Sequence, residues 1–426
     1  MHSFPFSSYL AFLCAATFYM YQFVLRVSPS VMVSDMMLSF STDAAGISLL
    51  SSVSLYAYSF MQIPAGIFAD VWGPRRLILL SIFLCVLGSF LVATTPYFSI
   101  AILGRIIIGI GSASAFLSVA KVALAKFGSH YQPLFFGFTM AAGTIGALNG
   151  GNTIAFLLEF ITWQETLLLL CGIGFLVALF NFYGLTEKSI TSQKKKEHDL
   201  QLSNVLSSIL TIFKSGQCWI SAFVALGIYS TISVVADLWG VSFCMQVYHL
   251  PRVKAAHLVS LLYVGLCIGS IVIPYVSYKF SSQKKIIIGC LIGLFINLFL
   301  LFFLSKASLF LKGVFFFNIG FFSGAEMVCF AYACSIGSSQ SSGTITGFIN
   351  AAVMMGGAFL QYLFGIILTT SWEGIRDAQG APIYPEQGYY MAFALILGTV
   401  LLSLFSSFFL FSSFKKEKSV SVKTHF

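Results

Sequence analysis

Charged side chains are scarce in this chain. Asp, Glu, Lys and Arg make up 9% of its 426 residues, whereas hydrophobic residues make up 58% and phenylalanine alone occurs 46 times. This composition excludes an ordinary soluble protein, in which about a quarter of the residues are charged. Apolar runs of roughly 20 residues, long enough to cross a bilayer as a helix, recur along the whole chain. We therefore predict an all-α membrane protein.

Motifs for catalysis, metal binding and ATP use are also missing. The nine cysteines lie in apolar runs without a C-x-x-C pair, which indicates small buried side chains rather than metal ligands or disulfides. A phosphate-binding G-x-x-x-x-G-K-[ST] loop is absent, which argues against ATP drive within this chain. No nucleophile–base or metal constellation supports an enzyme, and we expect no cofactor. The first apolar run, from about Ser8, is too long for a signal peptide and lacks a basic start, so we predict a spanning helix there.

The apolar runs predict twelve spans of roughly 20–28 residues. Their centres lie near Tyr19, Leu55, Cys85, Ile108, Gly143, Phe175, Ser230, Gly265, Leu294, Phe321, Met355 and Leu397. A polar stretch with the sequence QKKKEHD separates the first six from the last six. The predicted units are an N-terminal six-helix bundle at 1–186, a cytoplasmic linker at 187–204, a C-terminal six-helix bundle at 205–414 and a cytoplasmic tail at 415–426.

Lys and Arg are unevenly divided between the two sides of these spans. Sixteen lie in the tail and in the gaps on one side, and five lie in the gaps on the other; Arg26 and Arg105 complete the 23. Because basic residues favour the cytoplasmic side, this asymmetry predicts that both termini are cytoplasmic. The net charge of +9 follows from this membrane topology, so we expect a lipid bilayer, and no nucleic acid, as the surrounding partner.

The two halves share a short repeat. The segment GFTMAAGTIGA from Gly137 matches GFINAAVMMGG from Gly347 at an offset of 210 residues. These segments belong to the predicted fifth and eleventh spans. A repeat of six spans in the same orientation predicts two bundles related by an axis along the membrane normal.

Four ionisable residues are stranded inside the apolar runs: Arg26, Arg105, Asp237 and Glu326. A charge at bilayer depth costs roughly 3 kcal/mol or more unless it is paired or faces water. Two of the four are cations in the first half and two are acids in the second half. They therefore predict a polar cavity between the two bundles, suited to a charged solute or to protons.

Polar residues recur at helical spacing in several spans. Residues three, four or seven positions apart share a helix face. Four stripes follow this spacing: Tyr19, Gln22 and Arg26 in the first span, Asn149 and Asn152 in the fifth, Tyr229, Ser233 and Asp237 in the seventh, and Asn350, Met354 and Gln361 in the eleventh. We predict that these faces line the cavity.

The gap after the second span reads GIFADVWGPRRLILL and contains Gly66, Asp70, Gly73, Arg75 and Arg76. This pattern resembles the signature loop of the major facilitator superfamily. The resemblance implies twelve helices in two pseudo-symmetric six-helix bundles, and a loop that tunes the switch between outward-open and inward-open states. An ordinary charged loop is the alternative interpretation.

The fourth span contains GRIIIGIGSASA, in which Arg105, Gly109 and Gly111 resemble the R-x-x-x-G-x-G motif of the same superfamily. An arginine that serves helix packing is the alternative role for Arg105. In this superfamily the first, fourth, seventh and tenth helices line the transport path. Each of the four stranded charges falls on a different one of these helices. The fifth span lacks the proline of the antiporter motif, which argues against drug–proton antiport.

Further segments resemble the phagosomal-transporter subgroup: FYMYQFVLRVSPSVM, YAYSFMQIPAGIFADVWGPRR, ADLWGVSF and GTITGFINAAVMMGG. Members of this subgroup occur in bacteria living inside host cells and import amino acids or nucleosides. The resemblance implies a transporter of the bacterial inner membrane that imports a small polar solute, an amino acid, a short peptide or a nucleoside, by alternating access. We expect it to be a monomer. An efflux antiporter and a nutrient receptor that binds without transport are the alternatives.

Arg26 and Asp237 are candidates to bind a zwitterion, with its carboxylate on Arg26 and its ammonium on Asp237. Tyr19, Tyr21 and Trp239 are candidates for aromatic walls. Direct pairing of Arg26 with Asp237 as a gate is the alternative. Further candidate substrate contacts are Gln22, Asn149, Tyr229, Asn350 and Gln361. Arg105 and Glu326 are candidates for gating, by pairing with each other, or for proton coupling through the buried carboxyl of Glu326.

Overall fold

The computed structural model describes residues 4–128, 131–185, 215–280, 282–303, 307–336 and 342–411. These residues form helices joined by turns, with one isolated β-bridge between Arg376 and Pro382. The predicted linker at 187–204 and tail at 415–426 lie outside them.

The first half forms nine helices within the described residues. Their bounds are α1 Phe6–Val27, α2 Pro29–Ser39, α3 Ala44–Val71, α4 Gly73–Thr94, α5 Phe98–Ser112, α6 Ala115–Phe127, α7 Gln132–Leu148, α8 Ile154–Leu157 and α9 Trp163–Gly184. A π-helical segment, Asn149–Thr153, joins α7 to α8.

The described part of the second half forms eight helices. Their bounds are α10 Gly216–Thr231, α11 Gly240–Val247, α12 Arg252–Phe280, α13 Gln283–Phe303, α14 Leu309–Ser323, α15 Glu326–Ile336, α16 Ser342–Thr370 and α17 Glu386–Ser407. A second π-helical segment, Ile232–Trp239, joins α10 to α11.

Among the described residues, eleven helical stretches are long and apolar enough to cross a membrane. They contain eleven of the twelve centres predicted from the sequence. The remaining centre, Gly143, lies in α7, which continues through the first π segment into α8. The predicted all-α membrane fold is confirmed.

The connections between helices lie at two ends of the bundle. At the end that carries the N-terminus, Phe4 packs edge-on against Phe127 with ring centroids 5.1 Å apart, and the side-chain amide of Gln217 donates to the carbonyl of Phe409 at 3.0 Å. We call this the proximal end. At the opposite, distal end the indole N–H of Trp163 donates to Ser39 Oγ at 2.9 Å.

In each half, a glycine allows the fifth span of that half to pack closely against the first. A Cβ at Gly146 in α7 would lie 2.2 Å from the Met20 carbonyl oxygen, and one at Gly356 in α16 would lie 2.3 Å from Leu226 Cδ1. The fifth span therefore packs closely on the first, as the eleventh does on the seventh. Small residues permit such close approach between membrane helices.

A cation near the start of the third span of each half binds the end of the sixth. Arg75 Nη2 donates to the Phe182 carbonyl at 2.9 Å, and Lys284 Nζ donates to the carbonyls of Phe408 and Leu410 at 2.7 Å. The last carbonyls of a helix lack intrahelical donors and carry partial negative charge, so a cation stabilises them.

Candidate functional site

The seventh span is distorted where it carries its acidic residue. The π segment Ile232–Trp239 includes Asp237, and the side-chain amide of Gln361 donates to the carbonyl of Ser233 at 2.5 Å. π turns often occur at functional sites because they redirect side chains and free backbone groups. Ser233 Oγ and Gln361 Oε1 are buried and have no hydrogen-bond partner among the described residues.

Arg26 of α1 and Asp237 form an ion pair that joins the two halves of the chain. Asp237 Oδ2 lies 2.9 Å from Arg26 Nε and 2.6 Å from Arg26 Nη2. The side chain of Asp237 is 3% exposed and that of Arg26 is 15% exposed. The direct pairing that the sequence left open as a gate is therefore the arrangement in this structure.

Tyrosine hydroxyls complete this pair. The hydroxyl of Tyr263 in α12 donates to Asp237 Oδ1 at 2.6 Å, and Arg26 Nη2 donates to the hydroxyl of Tyr229. The Arg26 guanidinium carbon lies 5.7 Å from the ring centroids of both Phe23 and Tyr229. Both charges are thus hydrogen-bonded, as a buried pair requires, and two aromatic faces further stabilise the Arg26 cation.

Glu326 is close to this pair but does not join it. Glu326 is 5% exposed. It interacts electrostatically with Arg26 and with three tyrosines: Tyr19, Tyr58 and Tyr229. No hydrogen bond or ion pair connects its carboxylate to any other described residue. The carboxyl is therefore available to a proton or to a ligand.

Arg105 does not pair with Glu326, which corrects one of the alternatives from the sequence. Its guanidinium donates to the carbonyls of Leu50 at 3.2 Å and Leu25 at 3.3 Å, and to Ser54 Oγ at 3.1 Å. These partners belong to α1 and α3 of its own half. We call the first half, α1–α9, the N-terminal lobe and the second half, α10–α17, the C-terminal lobe. Arg105 therefore connects three helices within the N-terminal lobe, which matches the packing role.

The other predicted substrate contacts divide into two groups. Tyr19 is buried at the centre, where it packs on Phe23 with ring centroids 5.1 Å apart and interacts with Arg26. Gln22 is buried one helical turn before Arg26. Asn350 lies within hydrogen-bonding reach of Tyr58 in α3. These residues lie on helices that carry or contact the pair.

In this structure the side chains of Tyr21, Asn149 and Trp239 bind other groups of the protein, and their predicted contacts with substrate stay predictions. The Tyr21 hydroxyl donates to the Leu170 carbonyl at 3.1 Å, so it packs the first span on the sixth. Asn149 is exposed and its side-chain amide donates to the Ile145 carbonyl of its own helix. The Trp239 indole N–H donates to Ser48 Oγ at 3.0 Å, and its ring stacks on Phe364.

The glycine-rich loop after the second span adopts a tight turn at Gly73, whose φ of +78° is a conformation that favours glycine. Gly66 faces open space, and Arg75 binds the end of α9 as described above. Arg76 has interactions as well. The side chain of Asp70 lies outside the described part of the structure.

Contacts between the halves close the distal end. Arg252 Nη2 lies 2.9 Å from Asp35 Oδ2, and the side-chain amide of Asn152 donates to Ser260 Oγ at 3.2 Å. Two backbone N–H groups at the start of α3 donate to the C-terminal half: Ala44 to the hydroxyl of Tyr384 at 2.8 Å, and Ala45 to Thr369 Oγ1 at 3.0 Å.

Two of these distal side chains, Tyr384 and Asp35, lie outside the membrane spans and have raised pKa values. Burial raises the pKa of Tyr384 to about 12, so its hydroxyl remains protonated at neutral pH. Burial also raises the pKa of Asp35, and the positive charge of Arg252 offsets only part of this effect.

Sequence reasoning missed Tyr263, Tyr58 and the Asp35–Arg252 pair. A tyrosine in an apolar run carries no specific signal, because it often packs as an aromatic with one hydrogen-bonded tip. Asp35 and Arg252 lie at predicted span ends, where charges are ordinary. Their pairing is a property of the tertiary fold.

Comparisons with known proteins agree with this architecture. The chain is 26% identical over 197 residues to an uncharacterized transporter, YybO, of Bacillus subtilis (strain 168), a match that covers 45% of this chain and 44% of that relative. The match thus spans less than half of the relative's length.

Solved structures with the same fold include three transporters. A bacterial homolog of the human lysosomal transporter Spinster, in an inward-facing and unoccupied conformation, aligns with a TM-score of 0.72 at 17% identity over 95% of this chain and 97% of its own. The nucleoside transporter NupG aligns with 0.71 at 14% identity over 95% and 100%, and a D-xylose–proton symporter with 0.70 at 15% identity over 96% and 99%.

The strongest assignment comes from the family comparison. Residues 10–361 match the Major Facilitator Superfamily, which is well over half of the chain. The two lobes, the all-helical membrane fold and the transporter relatives agree with this match. This chain is therefore a transporter, not an enzyme, and belongs to the Major Facilitator Superfamily.

Proposed function

We propose that this protein is a secondary transporter of a small zwitterionic solute, an amino acid or short peptide, and that the Arg26–Asp237 pair is its binding site. The observation that carries the proposal is the pair itself, which is buried and joins the two lobes. A cross-lobe pair of opposite charges suits a ligand that carries both charges close together.

The substrate exchanges one set of ion pairs for another. Separating two buried charges without replacement is strongly unfavourable, because each loses its partner in a low-dielectric interior. A zwitterion avoids this cost, since its carboxylate replaces Asp237 on Arg26 and its ammonium replaces Arg26 on Asp237. The planar fork of arginine also favours a bidentate contact with carboxylate.

This exchange provides a mechanism for alternating access. The pair ties α1 of the first lobe to the π segment of the second, while the distal contacts of Ala44 and Asp35 close one end. With both termini in the cytoplasm, this closed end faces the outside. Binding of substrate between the charges separates the pair and allows the lobes to rock about the site.

The direction and the energy source are part of the same proposal. The resemblance to phagosomal transporters supports import across the bacterial inner membrane by a monomer. The unpartnered carboxyl of Glu326 supports proton coupling, because an intramembrane carboxyl that faces a polar site can take up and release a proton.

The test is counterflow exchange of labelled amino acids by the purified protein in proteoliposomes. We expect Arg26→Ala and Asp237→Asn each to reduce exchange by at least about 100-fold, or 2.7 kcal/mol, because each leaves a buried charge unpaired. Asn149→Ala is the matched control, because its side chain bonds only within its own helix and away from the pair. Normal exchange by either charge variant would refute the site.

The same vesicles separate this function from the alternatives. An imposed pH gradient that is acidic outside should accumulate the amino acid if the protein is an importer. Extrusion under that gradient would indicate an efflux antiporter. Saturable binding without counterflow would indicate a receptor.

A further inference from the structure

The central site contains one more charge than a zwitterion can balance. This inference rests on the proposed function: we infer that the Glu326 carboxylate binds one positive charge, which is transported together with the substrate. A proton supplies this charge when the substrate is a neutral amino acid, and the substrate's own side-chain cation supplies it when the substrate is a basic amino acid.

The first support is the position of Glu326. The tenth span is broken between α14 and α15, and Glu326 is the first residue after the break. Its residue is only 5% exposed, and it interacts with Tyr19 and Tyr58 of the other lobe. The carboxyl therefore faces the space between the lobes rather than lipid.

The second support is that the nearby cations are engaged elsewhere. Arg26 is bound to Asp237 and Tyr229, and Arg105 is bound to two carbonyls and Ser54. No described residue forms an ion pair with Glu326. A buried carboxylate without a partner is costly, so it must either bind a proton or obtain a cation.

Charge balance then selects the ligand. The groups with ionised side chains that a ligand between the lobes could contact are Arg26, Asp237 and Glu326, with a sum of one negative charge. Arg105 interacts electrostatically with Arg26 but is not counted, because its guanidinium is bound to Leu25, Leu50 and Ser54 of its own lobe. A zwitterion leaves this sum unchanged, whereas a zwitterion with a proton, or a basic amino acid alone, neutralises it. Tyr19 and Tyr58 interact electrostatically with Glu326, and aromatic rings in its neighbourhood suit the hydrocarbon chain and the cation of a lysine-like side chain.

The lack of an ion pair between Glu326 and Arg26 is compatible with the same ligand. Glu326 interacts with Arg26 but is not in ion-pair contact with it. A substrate that places its carboxylate on Arg26 and its ammonium on Asp237 therefore needs a spacer to reach Glu326. The four-carbon chain of lysine supplies such a spacer, and norleucine offers nearly the same chain without the second ammonium.

The proposal predicts the same charge movement but a different proton requirement for the two substrates. Norleucine enters with one proton, which binds the Glu326 carboxylate outside and leaves it inside. Lysine enters without a proton, because its ε-ammonium pairs with the ionised carboxylate. Each cycle then moves one positive charge inward in both cases.

The experiment measures uptake of labelled lysine and labelled norleucine into proteoliposomes. A potassium diffusion potential, negative inside, is imposed at equal pH, and a pH gradient is imposed separately at zero potential. We expect both gradients to drive norleucine and only the potential to drive lysine. Equal driving of lysine and norleucine by the pH gradient would overturn the inference.

The variant Glu326→Gln provides a second test of the inference. It should abolish the pH drive of norleucine while counterflow continues, and should weaken competition by lysine about tenfold or more. A variant with the wild-type pH response and lysine competition would overturn the inference and leave the Arg26–Asp237 site intact. Absence of exchange of amino acids and of short peptides by the wild-type protein would instead refute the proposed function as well.

Discussion

Each lobe contains one span that is divided into two helices and carries a buried charge, but the two charges differ in their bonding. The fourth span breaks between α5 and α6 and carries Arg105, whereas the tenth breaks between α14 and α15 and carries Glu326. Arg105 donates to three acceptors of its own lobe, and Glu326 has no partner among the described residues. The two buried charges therefore differ in whether their hydrogen-bonding capacity is satisfied, and this difference is the reason that we propose a function for Glu326 and a packing role for Arg105.

The variant with the largest expected effect is Arg105→Ala, which tests whether Arg105 has a packing role. Arg105→Ala leaves the carbonyls of Leu25 and Leu50 and the hydroxyl of Ser54 without their charged donor. Hydrogen bonds to a charged group contribute about 1.5–3 kcal/mol each, so we expect a loss of roughly 3 kcal/mol or more in stability. Thermal unfolding in detergent measures it. A Tm equal to that of the wild type would contradict the packing role.

Gly365→Ala tests the contact between lobes at the distal end. A Cβ at Gly365 would lie 2.2 Å from Ser48 Oγ and 2.5 Å from the Ala44 carbonyl oxygen. We expect the closed distal end to be destabilised by about 1–3 kcal/mol and exchange to slow accordingly.

The control for this variant is Gly347→Ala on the same helix, since a Cβ there meets nothing within 4 Å. Distances between spin labels on non-natural residues at Glu159 and Glu373 report the distal opening. A wild-type distance distribution and exchange rate for Gly365→Ala would show that this packing does not control closure.

Glu326→Gln should have a smaller effect on stability than Arg105→Ala. The change removes an unpartnered buried carboxyl and breaks no hydrogen bond among the described residues. We therefore expect the Tm to fall by no more than corresponds to about 1 kcal/mol, or to rise. A loss as large as that of Arg105→Ala would mean that Glu326 is structural.

Asp35→Asn should have the smallest effect. In the closed state burial raises the pKa of Asp35, whereas in an open state the carboxyl is solvated and has its ordinary pKa. The closed state thus binds the proton more tightly, so acid on the distal side favours closure and this effect is lost as the pH rises through the raised pKa.

Asp35→Asn mimics the protonated carboxyl. We expect it to keep the distal end closed, to change the opening equilibrium by less than about 1 kcal/mol and to remove its dependence on distal pH. Spin-label distances at two values of distal pH test this prediction. Opening of the wild type by acid would reverse the sign that we assign to Asp35.

The fold followed from the sequence because the membrane imposes its own pattern. Apolar runs of the required length marked the spans, and all twelve predicted centres lie on helices. Helix breaks were harder to predict. The sequence carries no periodic signal for the π segments at Asn149–Thr153 and Ile232–Trp239.

The charged residues of the site were predictable, because the energetic cost of a charge in the membrane alone identifies them. The cost of charge in lipid identified Arg26, Asp237 and Glu326, and the structure places them near one another. Helical spacing predicted that Asn149 and Asn152 share a face, but the two lie on a π segment and have different partners: Asn149 bonds within its own helix. Asn152, on the same segment, is the residue that reaches across to Ser260.

The central claim is that the substrate replaces the Arg26–Asp237 pair with its own two charges. The most direct measurement is inhibition of norleucine counterflow by its methyl ester, which lacks the carboxylate, and by hexanoate, which lacks the ammonium. We predict that each competes at least about tenfold more weakly than unlabelled norleucine, because each leaves one buried charge unpaired. Equal competition by either single-charge analogue would contradict the account.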